Sequence, residues 1–239
     1  MLKSFPANLL TTANLVCGSW AVVLILFFED PVQASYFIAA ALVFDVFDGA
    51  VARWLKASNA LGGELDSLAD AVSFGLAPSV CLFYLSVPDG ALEASALPVG
   101  VYATFAFLIG AVWRLAKFNV DKSQAYYFKG MPTPAASALV FSLPHVLRNQ
   151  GGLLTQVLGE EWFLGALAML MAVLMLWPFK LFGLKPLPGK GLFWGVYVLG
   201  LLGVLGFMLV GFLSVPIVIL LYPIVSILFF RPNEVSSRN

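Results

Sequence analysis

The chain has 239 residues, of which 61% are hydrophobic and 11% charged, and its formal net charge is zero. That balance excludes an ordinary soluble domain and points to an all-α, polytopic integral-membrane protein; with no basic tract, it also excludes a nucleic-acid partner. Cys17 and Cys81 sit inside apolar runs without C-x-x-C spacing or a neighbouring His, which makes them small apolar fillers rather than metal ligands.

A membrane span takes about 20 mainly apolar residues. About eight stretches qualify: 11–28, 34–55, 65–87, 96–117, 131–148, 161–179, 191–210 and 212–230. Before the first, Pro6, Asn8, Thr11, Thr12 and Asn14 interrupt the apolar pattern, so SFPANLLTTANL is expected to begin as a short interfacial helix, and no removable signal peptide is expected. The second span carries Asp45 and Asp48 near one end, and the third begins with Asp66 and Asp70. The fourth ends on Arg114, Lys117 and Asn119. Pro132, Pro134 and Pro144 shape the fifth, where His145 near the far end is expected to be an interfacial residue. Trp162, Trp177 and Trp194 mark span ends as interfacial anchors. Only Gly211 and Ser214 separate the last two spans, and Pro216 is expected to interrupt the final one.

With a cytoplasmic N-terminus, this arrangement puts all of the 13 basic residues except Arg148 on the inner side. The outer turns collect Glu29, Asp30, Asp89, Glu93, Glu160 and Glu161. Lys and Arg accumulate in cytoplasmic loops, so both termini are expected inside. No repeat, low-complexity tract or long polar linker divides the chain, and residues 1–239 are read as one integral-membrane domain.

The aspartates are the feature that composition does not explain. A spacing of three (Asp45, Asp48) and of four (Asp66, Asp70) puts each pair on one helical face, and a short connection makes the two helices antiparallel neighbours. Four carboxylates then converge at one depth, where burying even one charge is costly unless it is paired. Only Arg53 is built into the same motif. The charge deficit points to one or two divalent cations, and all-oxygen ligands favour Mg²⁺, Mn²⁺ or Ca²⁺ over softer metals. Gly49, Ala52, Gly62 and Gly63 leave room for close approach of backbone or ligand.

Asp45-x2-Asp48-Gly49-x2-Ala52-Arg53-x8-Gly62-x3-Asp66-x3-Asp70 resembles the signature of the CDP-alcohol phosphatidyltransferases with every fixed position filled. Three further segments, PANLLTTANLVCG from Pro6, GGELDSLADAVSFGLAPS from Gly62, and RLAKFNV with FKGMPTPAA between Arg114 and Ala136, resemble the phosphatidylserine synthase branch of that family. The resemblance implies a helical membrane fold, two divalent cations (Mg²⁺ or Mn²⁺) on Asp45, Asp48, Asp66 and Asp70, and Asp70 as the base. It also implies CDP-diacylglycerol held by Asn8, Thr11, Gly49, Ala52, Arg53, Gly62 and Ser67, transfer to L-serine with release of CMP at the cytoplasmic face, a homodimer, and membrane lipid as surroundings.

For the acceptor, Arg114 suits a carboxylate as a bidentate donor and Asn119 an ammonium. The alternative is that Arg114 and Lys117 snorkel to headgroups. Lys129 carries the same two readings, with a lipid phosphate as its other ligand. A different acceptor, glycerol phosphate or inositol phosphate, stays open, and calls for more than one convergent basic residue. A divalent-cation transporter is the rival of another class, and requires acidic or polar residues to continue to the opposite face.

Overall fold

The computed structural model describes residues 4–56, 60–87, 97–121, 127–149, 153–182 and 194–229. Lys3, Lys122, Lys185, Lys190, Arg231 and Arg238 on the expected inner side, and Asp89 and Glu93 on the outer, lie outside the described residues. Within them the chain is helical apart from one two-stranded ribbon.

Helix α1 (Phe5–Phe28) starts with Pro6 in its first turn, where a missing N–H removes no helical bond. The expected interfacial helix is not a separate element, because α1 runs unbroken through the polar stretch. The hydroxyls of Thr12 and Ser19 donate to the carbonyls of Asn8 and Leu15, each at 2.8 Å, and so are satisfied within the helix itself. Glu29 then adopts a left-handed conformation (φ 52°), and the Asp30 carboxylate accepts from the Gln33 N–H at 2.7 Å. Pro31 opens α2 (Pro31–Trp54). An Asp cap of this kind is worth about 1 kcal/mol. The tight turn lays α2 antiparallel on α1, which is the most extensive helix pairing in the molecule.

The third rod is compound: α3 (Ala60–Asp70), a π-helical segment (Ala71–Leu76) and α4 (Ala77–Ser86). Pro78 explains the π segment, since its ring would clash with the carbonyl four residues back in a regular α-helix. The wider turn, in which the Ala77 N–H bonds to Val72 O, relieves the clash. The extra residue also turns Ser73 toward α1, where its hydroxyl donates to the Asn14 carbonyl at 3.0 Å.

Helices α5 (Val99–Ala103) and α6 (Ala106–Val120) make the fourth rod, with α7 (Thr133–Asn149), α8 (Leu153–Gly159) and α9 (Glu161–Leu176) following. Then come α10 (Trp194–Val210), a 3₁₀ turn (Gly211–Leu213) with Gly211 at φ +61°, and α11 (Ser214–Phe229). Every one of the eight expected ranges falls on one of these rods. Among the described residues five stretches are long and apolar enough to cross a membrane, with 194–229 taken as one stretch of 36 residues. Pro216 lies in the first turn of α11, which it starts rather than interrupts; Pro223 is the proline inside that helix.

The core is apolar and continuous, with Ile25, Ile38, Phe74, Leu82, Phe107, Leu139, Leu164 and Met171 all fully or almost fully buried. His145 is buried inside the protein rather than exposed at its surface. It is 5% exposed, shares a 2.7 Å hydrogen bond with Ser35 of α2, and stacks on Phe212 at 3.8 Å between ring centroids. A partner on the neighbouring helix makes that burial affordable for a polar ring. Trp162, Trp177 and Trp194 are exposed at helix ends, as anchors should be. Strand β1 (Tyr127–Lys129) pairs antiparallel with β2 (Lys180–Phe182), and α11 clasps the outer edge of β2. Phe182 donates its N–H to Ser226 Oγ at 3.2 Å and accepts from the Tyr222 hydroxyl at 2.6 Å.

Gly18 is where α1 meets the π segment most closely: a Cβ there would lie 2.1 Å from Ser73 Oγ and 2.5 Å from Ser73 Cα. Gly18→Ala is therefore expected to destabilise the protein by about 1–3 kcal/mol, read as a lower thermal midpoint in detergent. Gly200→Ala, at a position with no atom within 4 Å, should leave the midpoint equal or higher.

Candidate active site

Three helices build the site. One turn of α2 presents Asp45 and Asp48, and α3 presents Asp66 and, at its last residue, Asp70. One oxygen from each of Asp45, Asp48 and Asp66 lies within 4.8 Å of the other two. Asp70 is set apart from that trio, although its charge interacts with all three. The expected four-way convergence is thus a group of three with a fourth carboxylate behind it.

Helix α1 supplies the polar wall. The Thr11 hydroxyl reaches both Asp48 Oδ2, at 2.6 Å, and its own helix at Ala7 O, at 3.1 Å, and is closer to the carboxylate. Asn14, fully buried, donates from Nδ2 to Asp70 Oδ1 at 3.2 Å. Asn14 and Ser73 behind it were not singled out as site residues. The available signal was the three-residue spacing of Asn8, Thr11 and Asn14, which lines one face of an otherwise apolar helix.

Asn8, Thr11, Gly49, Ala52, Arg53 and Gly62 line a cavity of about 220 Å³ together with Asp48 and Asp66. Six of the seven residues expected around CDP-diacylglycerol are therefore brought together. The seventh, Ser67, faces elsewhere: its hydroxyl lies 3.0 Å from Asn119 Oδ1 and 3.1 Å from Gly63 O. Gly49 leaves space for Arg53, since a Cβ at 49 would lie 3.3 Å from Arg53 Nη1.

A second cavity, about 560 Å³, is lined by Arg114, Lys117, Phe118, Asp121, Lys129 and Met175 among others. Arg114 is 7% exposed; Nη1 donates to Thr133 Oγ1 at 3.3 Å, while Nε is buried without a partner. A snorkelling arginine would be solvated at its tip, so burial argues against that alternative. The Arg114 and Asp70 charges also interact, which places this cavity beside the carboxylates. Lys129 donates to Asp121 Oδ2 at 2.6 Å. Asn119 does not line the cavity and accepts from Ser67 instead.

The donor set fits a hard divalent cation. Three carboxylate oxygens are grouped, Asp66 Oδ1 is buried with no hydrogen-bond partner, and oxygen ligands are what Mg²⁺ and Mn²⁺ take. The only buried carboxylates among the described residues are Asp48 and Asp70, so among those residues no track of buried carboxylates leads to the opposite face.

A family profile described as CDP-alcohol phosphatidyltransferase matches residues 5–177. The chain belongs to the CDP-alcohol phosphatidyltransferase family. CDP-alcohol phosphatidyltransferases are polytopic helical membrane proteins that depend on divalent cations, in keeping with the apolar rods and the acidic cluster here. Among its relatives is a CDP-diacylglycerol–serine O-phosphatidyltransferase of Helicobacter pylori, 33% identical over 223 residues that cover 83% of this chain and 89% of that one. Proteins of the same name from Mycobacterium leprae and Bacillus subtilis are 38% identical over 149 residues and 36% identical over 129. Those alignments cover 59% and 54% of this chain, and 47% and 68% of the relatives' lengths. The chain thus spans about half of the Mycobacterium leprae relative.

If the aspartate trio holds the metal, Asp45→Asn, Asp48→Asn and Asp66→Asn should each weaken Mn²⁺ binding at least about tenfold, since even indirect contacts to a metal are worth that much. Titration followed by the loss of the free-Mn²⁺ spin signal measures it, and unchanged binding in two of the three variants would refute the site.

Proposed function

We propose that this protein transfers the phosphatidyl group of CDP-diacylglycerol to the hydroxyl of L-serine, giving phosphatidylserine and CMP. The observation that carries the reading is the meeting of the aspartate trio with a cavity lined by six of the residues expected to hold CDP-diacylglycerol. Serine as the acceptor is supported by the relatives' names and by a single buried guanidinium, Arg114, with an unpartnered Nε in the neighbouring cavity.

Two divalent cations, Mg²⁺ or Mn²⁺, held by Asp45, Asp48 and Asp66 with Asp70 sharing one, would supply positive charge to the phosphoryl and leaving-group oxygens. Asn8, Thr11, Gly49, Ala52, Arg53 and Gly62 hold the CDP end of the donor, Arg53 with charge and the small residues by making room. Arg114 binds the serine carboxylate, aiming the hydroxyl toward the aspartates. Asp70 takes the hydroxyl proton as the new O–P bond forms and the bond to CMP breaks. Asn14 holds the Asp70 carboxylate by donating to one oxygen, so the other is available to the substrate. Ser67 and Asn119 tie α3 to α6 rather than touching CDP or the ammonium, which revises their expected roles.

The same proposal treats residues 1–239 as one membrane domain with both termini and the active site facing the cytoplasm, on the strength of the basic-residue asymmetry. A homodimer in a lipid bilayer is part of it and rests on the family resemblance.

Purified protein given CDP-diacylglycerol should release CMP with serine and a divalent cation, and lose that activity on chelation. Arg114→Ala should lower kcat/KM for serine about tenfold to a hundredfold, the worth of a charge-assisted hydrogen bond of about 1.5–3 kcal/mol. Arg114→Lys should fall between, because a point charge replaces a fork. Near-normal serine kinetics in both variants would remove Arg114 from the acceptor site.

Topology is tested separately. Reporters inserted between Lys117 and Lys129, and between Lys180 and Lys190, should score cytoplasmic, and one between Glu160 and Trp162 should score on the opposite side. Finding the Lys180–Lys190 stretch outside would overturn the orientation.

A further inference from the structure

The cavity beside Arg114 holds three cationic side chains, Arg114, Lys117 and Lys129, and one carboxylate, Asp121. These are not equivalent. Lys117 is exposed, whereas Arg114 is buried and its Nε has no partner. Lys129 is occupied by Asp121, with 2.6 Å between Nζ and Oδ2 and both side chains only about one-third exposed, at 34% and 29%. The contact raises the Lys129 amine above its ordinary pKa, so it stays an ammonium bound to that carboxylate.

Position also matters. Asp121 caps the C-terminal end of α6, seven residues and so about two turns beyond Arg114, on the same side of the helix. The Arg114 guanidinium lies 5.8 Å from the centroid of the Phe118 ring, which is one turn nearer to Asp121. An acceptor in the cavity therefore meets one unsatisfied buried cation and, beyond it, a neutralised pair.

Resting on the reading of this cavity as the acceptor site, we infer that Asp121 determines acceptor specificity: by holding Lys129 it leaves one buried cation, which suits an alcohol with a single carboxylate and turns away one with a phosphate dianion. The physical basis is twofold. A dianion needs a second convergent cation, and Lys129 is the partly buried candidate among the lysines that line the cavity. A dianion that drew Lys129 away would face the Asp121 carboxylate left without its cation, and like charges brought together at a binding surface are a strong deterrent to the wrong ligand. One interaction thus removes an attraction and adds a repulsion.

The test compares serine with glycerol phosphate in the CMP-release assay on full-length protein, with equilibrium dialysis of radiolabelled glycerol phosphate as an independent readout. Asp121→Asn should raise the glycerol phosphate to serine ratio of kcat/KM by about tenfold or more, and raise glycerol phosphate binding in dialysis. Asp121→Ser should do the same, and guards against one variant folding poorly. Adding Lys129→Gln to Asp121→Asn should abolish the gain, because the released cation is then gone. A ratio and a binding constant both within about twofold of the unmodified protein in each folded Asp121 variant would overturn the inference, as would a gain that survives Lys129→Gln. Failure of the unmodified protein to use serine would instead sink the acceptor reading, and dialysis would still decide whether Asp121 excludes the dianion.

Discussion

Grouped carboxylates at the ends of membrane helices set the terms for the rest of the molecule. Water is scarce there and mutual repulsion large, so each charge needs a partner fixed in place before any ligand arrives. Helix α1 answers that need with a polar face inside an apolar rod: Thr11 reaches Asp48, and Asn14 reaches Asp70. The first contact joins α1 to α2, and the second survives only if α1 lies very close to the third rod. Gly18, which has no side chain to hold the helices apart, permits the approach, and the π segment around Ser73 anchors it from the other side. The turn at Pro78 is thus connected to the carboxylates through a short chain of contacts.

Buried polar groups fall into two kinds. Thr104, Ser79 and Ser142 donate to carbonyls of their own helices, and Ser35 meets His145 across two helices; these are satisfied and serve as scaffold. Buried side-chain atoms without a partner are few among the described residues: Asn14 Oδ1, Asp66 Oδ1, Arg114 Nε and Ser137 Oγ. Three of these four sit around the aspartates and the neighbouring cavity. Native interiors leave few such groups, and each calls for an explanation. Under the proposed function these are the atoms that a cation or an anion would engage.

The rods were readable because lipid imposes a coarse rule, an apolar stretch of a certain length. The aspartates were readable because fixed spacing on two helices becomes fixed direction, although four were expected to converge where three do, and the cavity residues were readable only through the resemblance of the motif to a family. What lay beyond reach depended on contacts between distant residues. Nothing near His145 in sequence reveals Ser35 or Phe212, and their packing turns an expected interfacial ring into a buried one. Asn14 looked like noise in an apolar pattern until α3 placed Asp70 opposite it. Ser67 shows the limit of carrying roles along a motif: its neighbour Asp66 faces the cavity, while Ser67, one residue on, points to Asn119. Lys129 reads in sequence as a ligand for the acceptor or for a lipid phosphate, and only its approach to Asp121 gives it a different meaning.

The ribbon formed by β1 and β2 has an edge that a third strand would ordinarily complete. In its place α11 offers two side-chain oxygens, from Tyr222 and Ser226, to the two backbone groups of Phe182. Both lie beyond the segment matched by the family profile, in a helix whose remaining residues are almost uniformly greasy. A helix that docks through two hydroxyls a turn apart can exchange nearly all its other side chains without losing its seat. Drift in the last helices should accordingly be wide but not free, with tolerance narrowing sharply at 222 and 226. Those two positions would serve as the hinge pins by which an otherwise interchangeable part is fitted to the ribbon that carries Lys129.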